Sequence, residues 1–253
     1  MNFSVYVPAR FAATRLPGKP LLTVGGKTLV QHVWERAHAS GAARVVVATD
    51  DARIADVVNA FGGQVCLTDV AHQSGSDRIA EAARTLGEPD DAIIVNLQGD
   101  EPTMPAAVIR QVAHMLHEDP RAHMATVCER FVAEHDWRDP NQVKVLRDDA
   151  GLAMYFSRAP LPFPRDSAVW RPGPEHCRHI GLYAYRASAL QQLVRWPPHR
   201  LELTERLEQL RALAHGMAIK VEEACEPCGI GIDTPADWAR FEAEFSAARA
   251  AHA

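Results

Sequence analysis

Short apolar runs alternate along the chain with stretches whose apolar residues recur every three or four positions. "FSVYV" (3–7), "RVVVATD" (44–50), "QVCLT" (64–68) and "AIIVNLQ" (92–98) are nearly continuous and rich in β-branched residues, the pattern of parallel strands buried on both faces. Between them, 28–39 places Leu29, Val33, Trp34 and Ala37 on one helical face. Residues 52–62 do the same with Ile54, Val57, Val58 and Phe61, and Gly62 and Gly63 stop that helix. Strand and helix alternating in this way predict an α/β fold with a doubly wound, mostly parallel, Rossmann-like sheet.

After about residue 120 the rhythm changes. Residues 143–163 read as two strands joined by a turn at Asp148–Gly151, and 162–176 is a polar, broken stretch that predicts a mobile loop or lid. A strand then a helix follow over 179–196, and 200–216 reads as one helix stopped by Gly216. The chain closes on a Gly-rich turn and an amphipathic helix. With no repeat and no linker, the expectation is a single domain over 1–253 carrying a smaller β-rich subdomain at about 120–200.

Composition narrows the class. With 47% hydrophobic and 23% charged residues in 253, the chain has ordinary globular make-up, and its net charge of −5 argues against a nucleic acid or membrane surface held by bulk charge. The opening residues lack the pattern of a secretory signal, and no run is long enough to span a membrane, so a cytoplasmic protein is expected. Five cysteines are too few and scattered for a disulfide scaffold. Cys225 and Cys228 form one C-x-x-C, a weak signal whose zinc reading would need His176, Cys177 or His179 as further ligands.

One charge pattern runs against the acidic whole. The first thirty-four residues hold four cations and no anion, and Arg10, Arg15 and Lys19 lie in "VPARFAATRLPGKP" directly after the first strand. Open α/β sheets bind ligands beyond the carboxyl ends of their strands, so these cations sit where a site belongs. The stretch is neither a Walker A loop nor a G-x-G-x-x-G; it fits a triphosphate held by cations, and its spacing fits a solvated basic loop as well. Phosphoryl-type chemistry calls for a divalent metal on carboxylates. Asp100 and Glu101 lie at the carboxyl end of the fourth apolar run; Thr103 is available to cap the helix beyond it, with Pro105 in the first turn. Asp233 precedes Thr234, which reads as an N-cap in a T-x-x-D box with Asp237. Asp100 and Asp233 are thus left without a structural task and become candidate Mg²⁺ ligands.

The blocks "PARFAATRLPGKPL", "VATDD", "HQSGSDR", "VNLQGDEP", "YFSRAPLPF", "RHIGLYAYR", "LEQLR" and "GIGIDTPAD", in that order and over residues 2 to about 243, resemble the 3-deoxy-manno-octulosonate (Kdo) cytidylyltransferase family. The resemblance implies transfer of CMP from CTP to the anomeric 2-hydroxyl of Kdo, with Mg²⁺, releasing pyrophosphate. It implies a cytoplasmic homodimer serving lipopolysaccharide assembly. Carried onto this sequence, it gives Arg10, Arg15 and Lys19 to the CTP phosphates, with Lys19, Asp100, Arg10 and Arg15 central to catalysis. Ser74, Gly75 and Arg78 fall to the cytidine, and Asp100 and Asp233 to the metal. Arg158 falls to the sugar carboxylate, and Gln98, His179, Tyr183, Glu208 and Gln209 to the rest of the sugar. The family block H-Q-S-G-T-E-R is departed from at Ser76 and Asp77. For the proton of the attacking hydroxyl, His179 and a metal-bound alkoxide both stay open. The nearest alternative is a cytidylyltransferase for a related acidic sugar, sialic acid or 8-amino-Kdo. More distant ones are a nucleotidyltransferase for sugar 1-phosphates and a nucleotide-binding protein without catalysis.

Overall fold

The structure, a computed structural model, describes residues 1–12, 16–165, 170–229 and 231–250. Arg15 and residues 166–169 of the 162–176 loop lie outside them. The elements run in chain order β1 (Ser4–Ala9), β2 (Thr23–Val24), β3 (Lys27–Thr28), α1 (Leu29–Ala39), β4 (Arg44–Thr49), α2 (Ala52–Ala60), β5 (Gln64–Leu67), α3 (Gly75–Thr85), β6 (Ile93–Asn96) and α4 (Ala106–Glu118). They continue with β7 (Met124–Arg130), α5 (Glu134–Arg138), β8 (Lys144–Arg147), β9 (Ala153–Ser157), β10 (Cys177–Arg186), α6 (Ala187–Leu193), α7 (Arg200–Glu205), α8 (Gln209–Ala214), β11 (Ile219–Glu223) and α9 (Pro235–Ala250).

Among the described residues, nine strands build one sheet, with the path β11-β7-β10-β6-β1-β4-β5 and the β8–β9 hairpin attached through β10. The β6-β1-β4-β5 half is parallel; β10 runs antiparallel to both β6 and β7, and β11 is parallel to β7. The sheet is therefore doubly wound and mixed. Strands β7 and β10, which fall in the β-rich stretch 120–200, extend this same sheet.

Side chains alternate between the two faces as the strand period requires. Val5, Val7, Val95 and Leu97 pack with Val30 and Val33 of α1 and Val108, Ile109 and Val112 of α4. Tyr6, Val46, Ala48 and Ile94 pack on the other face with Ile79 of α3, Leu190 of α6 and Leu210 of α8. Strand β1 has β4 on one side and β6 on the other, so the chain reverses its winding there. That is the switch point at which doubly wound sheets open a ligand crevice.

Two local expectations are corrected. Residues 200–216 are not one helix: Arg206 takes a left-handed φ of 53° and splits α7 from α8. The break lets Leu207 and Leu210 turn into the core while Leu201 and Leu203 stay exposed, and Arg211 clamps the two helices through Glu202. Thr103 does not cap α4. The helix starts at Ala106 behind Pro105 without a side-chain cap, and Thr103 is pressed instead against Gly229.

Candidate active site

A cleft of about 310 Å³ opens at the switch point. It is lined by Pro8, Ala9 and Arg10 at the carboxyl end of β1, Leu16, Lys19 and Pro20 from the cationic loop, His72 to Gly75 and Arg78 at the start of α3, Gln98 to Asp100 after β6, and Asp233. Four loops from separate parts of the sequence thus meet at one place, each leaving the carboxyl end of a strand or opening a helix.

Lys19 is the centre of this meeting. Its Nζ donates to Asp100 Oδ2 at 2.8 Å, to Asp233 Oδ1 at 3.4 Å and to the Ile232 carbonyl at 2.7 Å. The two aspartates therefore face one point, although they lie 133 positions apart in sequence. Main-chain pairing holds them there: the Ile232 N–H donates to the Asp100 carbonyl at 2.9 Å. Thr234 and Asp237 form the expected capping box, with Thr234 N–H to Asp237 Oδ2 at 2.9 Å and Asp237 N–H to Thr234 Oγ1 at 3.2 Å. Asp233 is left at the mouth of the cleft.

The loop carrying Asp233 approaches the loop carrying Asp100 closely at Gly229 and Gly231. A Cβ on Gly229 would stand 2.0 Å from Thr103 Oγ1, and one on Gly231 would stand 3.2 Å from Glu101 Oε1. Gly229→Ala should therefore cost about 1–3 kcal/mol of stability by overpacking and spread the two aspartates. Thr103→Ala in the same chain should restore both the melting temperature and turnover. A Gly229→Ala protein as stable and active as the unaltered one would show that the contact is not needed.

Glu101, which the sequence places with Asp100 at the end of the fourth apolar run without giving it a role, lies beside the pair. Burial first, and the Asp100 charge second, push its carboxyl up to about 8, and its buried Oε2 has no hydrogen-bond partner.

The start of α3 is built as an anion-facing terminus. Ser74 caps the helix and Asp77 closes a reciprocal box, with Asp77 N–H to Ser74 Oγ at 3.0 Å and Ser74 N–H to Asp77 Oδ2 at 3.1 Å. The departure at Asp77 thus keeps an acidic cap. Gly75 lies against Pro8, where a Cβ would come within 3.2 Å of its ring. Arg78 is buried and fixed, donating through Nη1 to Thr68 Oγ1 at 2.6 Å and through Nη2 to Asp50 Oδ2 at 2.8 Å. His72, missed from sequence, lines the cleft and bonds Glu81 through Nε2. Applying the strand-end rule to "VATDD" would have pointed to Asp50.

Behind the cleft lies a second, buried polar group. Ser76 Oγ donates to Glu208, whose carboxyl is raised by burial against the opposing pull of Ser76 and Arg211. Tyr183 and Asn96 are register partners on β10 and β6, and the Tyr183 hydroxyl and Asn96 Oδ1 are buried without a partner. His179 packs at a tilt against Tyr183, with ring centroids 5.2 Å apart, and its Nε2 lies 3.1 Å from Thr126 Oγ1. Burial pushes the His179 imidazole down to about 3. Gln209 is buried at the start of α8.

Arg158 stands apart from the cleft lining. Its guanidinium donates to the main-chain carbonyls of Glu205 at 2.6 Å, Pro140 at 2.9 Å and Arg206 at 3.5 Å. In this arrangement it pins the end of α7, three residues before Glu208, with its guanidinium engaged by main-chain carbonyls. The cysteines assemble no zinc site: Cys177 donates to the Pro174 carbonyl, His176 packs between Trp137 and Trp170, and the Cys228 N–H is bound to Glu129. Among the described residues no group of three or more His, Cys, Asp or Glu side chains is placed to hold a metal.

Comparison with known proteins agrees with the geometry. A family model described as "Cytidylyltransferase" matches residues 5–219. The 3-deoxy-manno-octulosonate cytidylyltransferase of Thioalkalivibrio sulfidiphilus is 54% identical over 96% of this chain and 98% of its own length. That of Cellvibrio japonicus is 50% identical over 96% and 98%. A solved CMP:2-keto-3-deoxy-manno-octonic acid synthetase in complex with CTP superposes with a TM-score of 0.88 at 39% identity, covering 97% of this chain and 99% of that one.

Proposed function

Since the chain belongs to the cytidylyltransferase family, and within it to the 3-deoxy-manno-octulosonate cytidylyltransferases, we propose that it transfers CMP from CTP to the anomeric 2-hydroxyl of Kdo and releases pyrophosphate. The observation that carries this reading is Lys19 joining Asp100 and Asp233 at the mouth of a cleft lined by Arg10 and the first turn of α3.

Arg10, Lys19 and, from outside the described residues, Arg15 draw the triphosphate to the carboxyl end of β1. The N-terminus of α3, with Ser74 and Gly75, adds main-chain N–H groups that favour an anion. Arg78, held by Thr68 and Asp50, keeps further N–H groups in a fixed plane for the cytidine. Gln98 in the cleft, with Tyr183, Glu208 and Gln209 behind it, offers acceptors and donors to the hydroxyls of the sugar. His179 holds its place as a neutral ring, because an imidazole that protonates only at about 3 is a weak proton acceptor at neutral pH. Arg158 acts through Glu208 by fixing the α7–α8 turn.

The donor set suits Mg²⁺: two hard carboxylates already converge on a cation, here the Lys19 ammonium, and Mg²⁺ commonly takes one or two carboxylates with phosphates completing its shell. Bound by Asp100 and Asp233, it would neutralise phosphate charge and make the attacking hydroxyl more acidic. The residues themselves supply alignment of the hydroxyl with the α-phosphorus and charge neutralisation as pyrophosphate leaves, the two demands of phosphoryl transfer. The same reading makes the enzyme a cytoplasmic homodimer serving lipopolysaccharide assembly; in keeping with it, no helix among the described residues is long and apolar enough to cross a membrane.

An acceptor panel tests the function. With CTP and Mg²⁺, Kdo should give pyrophosphate release and sialic acid or 8-amino-Kdo far less. Release with one of these and not with Kdo would move the assignment to that sugar, and binding of CTP without release on any acceptor would remove the catalytic reading.

A further inference from the structure

Lys19 cannot hold its present partners and the triphosphate at the same time. An ammonium has three N–H donors, and Asp100, Asp233 and the Ile232 carbonyl take all three, at 2.8, 3.4 and 2.7 Å. Its side chain is only 13% exposed, and with all three donors engaged a phosphate oxygen in the cleft gains an N–H from it only by displacing one of these partners. A divalent cation on the same two carboxylates would meet this ammonium at a separation where like charges repel strongly. The lysine backbone, in contrast, is fixed: it opens a single turn after Gly18, whose φ is 69°, with Pro20 buried behind it. Any movement therefore belongs to the flexible four-carbon stem.

We propose that Lys19 is the resident counter-ion of the Asp100–Asp233 pair, a positioning residue that holds both carboxylates convergent until a divalent cation takes its place and releases its ammonium to the triphosphate. The inference rests on the reading of Asp100 and Asp233 as the metal pair. Without Lys19 the two carboxylates repel one another and spread; with it they are pre-arranged, at the cost of competing with the metal. Metal entry and phosphate capture by Lys19 are then two halves of one exchange. The enzyme without nucleotide should bind metal weakly, even though its carboxylates are already in place.

Titration with Mn²⁺ alone, followed by electron paramagnetic resonance and with no nucleotide present, tests this. Lys19→Met should bind Mn²⁺ at least ~10-fold more tightly than the unaltered protein, since a positive charge has been removed beside the ligands. Lys19→Gln should behave in the same way and guards against a folding defect peculiar to Met. Adding Asp100→Asn to Lys19→Met should abolish the gain. If both Lys19 variants bind Mn²⁺ no more tightly than the unaltered protein while Asp100→Asn weakens binding, the exchange is wrong and the metal pair stands. If Asp100→Asn leaves Mn²⁺ binding unchanged in every background, the metal pair itself is wrong and the exchange fails with it.

Discussion

Asp100→Asn should lower Mg²⁺-dependent pyrophosphate release by at least ~10²-fold, the scale seen when a preorganised electrostatic group aimed at the transition state is removed. The substitution keeps the shape of the side chain and removes one charge. Lys19 retains the Ile232 carbonyl and Asp233, so the loop should stay in place. Asp100 is itself 30% exposed, which keeps the cost in folding stability small. CTP affinity should change little, because Arg10, Arg78 and the α3 terminus are untouched. Stopped-time pyrophosphate assays beside calorimetric CTP titration separate the two effects. Turnover at the unaltered rate would take Asp100 out of the chemistry.

The second large effect is expected on the sugar side. Glu208 is a buried carboxyl raised by desolvation, and it receives the Ser76 hydroxyl. Its ionised form accepts hydrogen bonds that Gln cannot match, and a hydrogen bond to a charged group is worth about 1.5–3 kcal/mol. Glu208→Gln should thus raise the KM for Kdo by roughly 10- to 100-fold and leave the KM for CTP nearly unchanged. The pH dependence follows from the same shift. Because the carboxyl gains its proton at a higher pH than an ordinary glutamate, KM for the sugar in the unaltered enzyme should rise early as pH falls, and the Gln variant should lose that rise. Equal effects on both substrates would show that Glu208 does not face the sugar.

Much of the scaffold was legible because it depends on local pattern. The four apolar runs became β1, β4, β5 and β6, and β1, β4 and β6 are covered on both faces as unbroken β-branched runs require; β5 is the exception, an edge strand with Leu67 exposed. The Thr234–Asp237 box was legible for a similar reason: a cap is satisfied within four residues. For Asp233 the neighbouring cap leaves the carboxylate without a structural task, whereas the cap expected at Thr103 beside Asp100 does not form. What stayed hidden was decided by distant partners. The insertion of β10 between β6 and β7 is a matter of pairing across roughly fifty residues on one side and nearly ninety on the other, with a register shift between Ile180 and Tyr183. The split at Arg206 pits helix propensity against the burial of Leu207 and Leu210, and burial wins. The partners of Arg158 stay hidden because nothing in "YFSRAPLPF" announces carbonyls at Pro140, Glu205 and Arg206.

The convergence of two carboxylates and a cationic loop on one triphosphate is most directly tested by diffraction from crystals soaked with CTP and Mn²⁺ in the absence of the sugar. An anomalous peak should appear within about 2.5 Å of one oxygen from each of Asp100 and Asp233 and in contact with the phosphates. The Lys19 ammonium should have left both carboxylates for a phosphate oxygen. A manganese ion held by the phosphates alone, with Lys19 still bridging the two aspartates, would contradict the account.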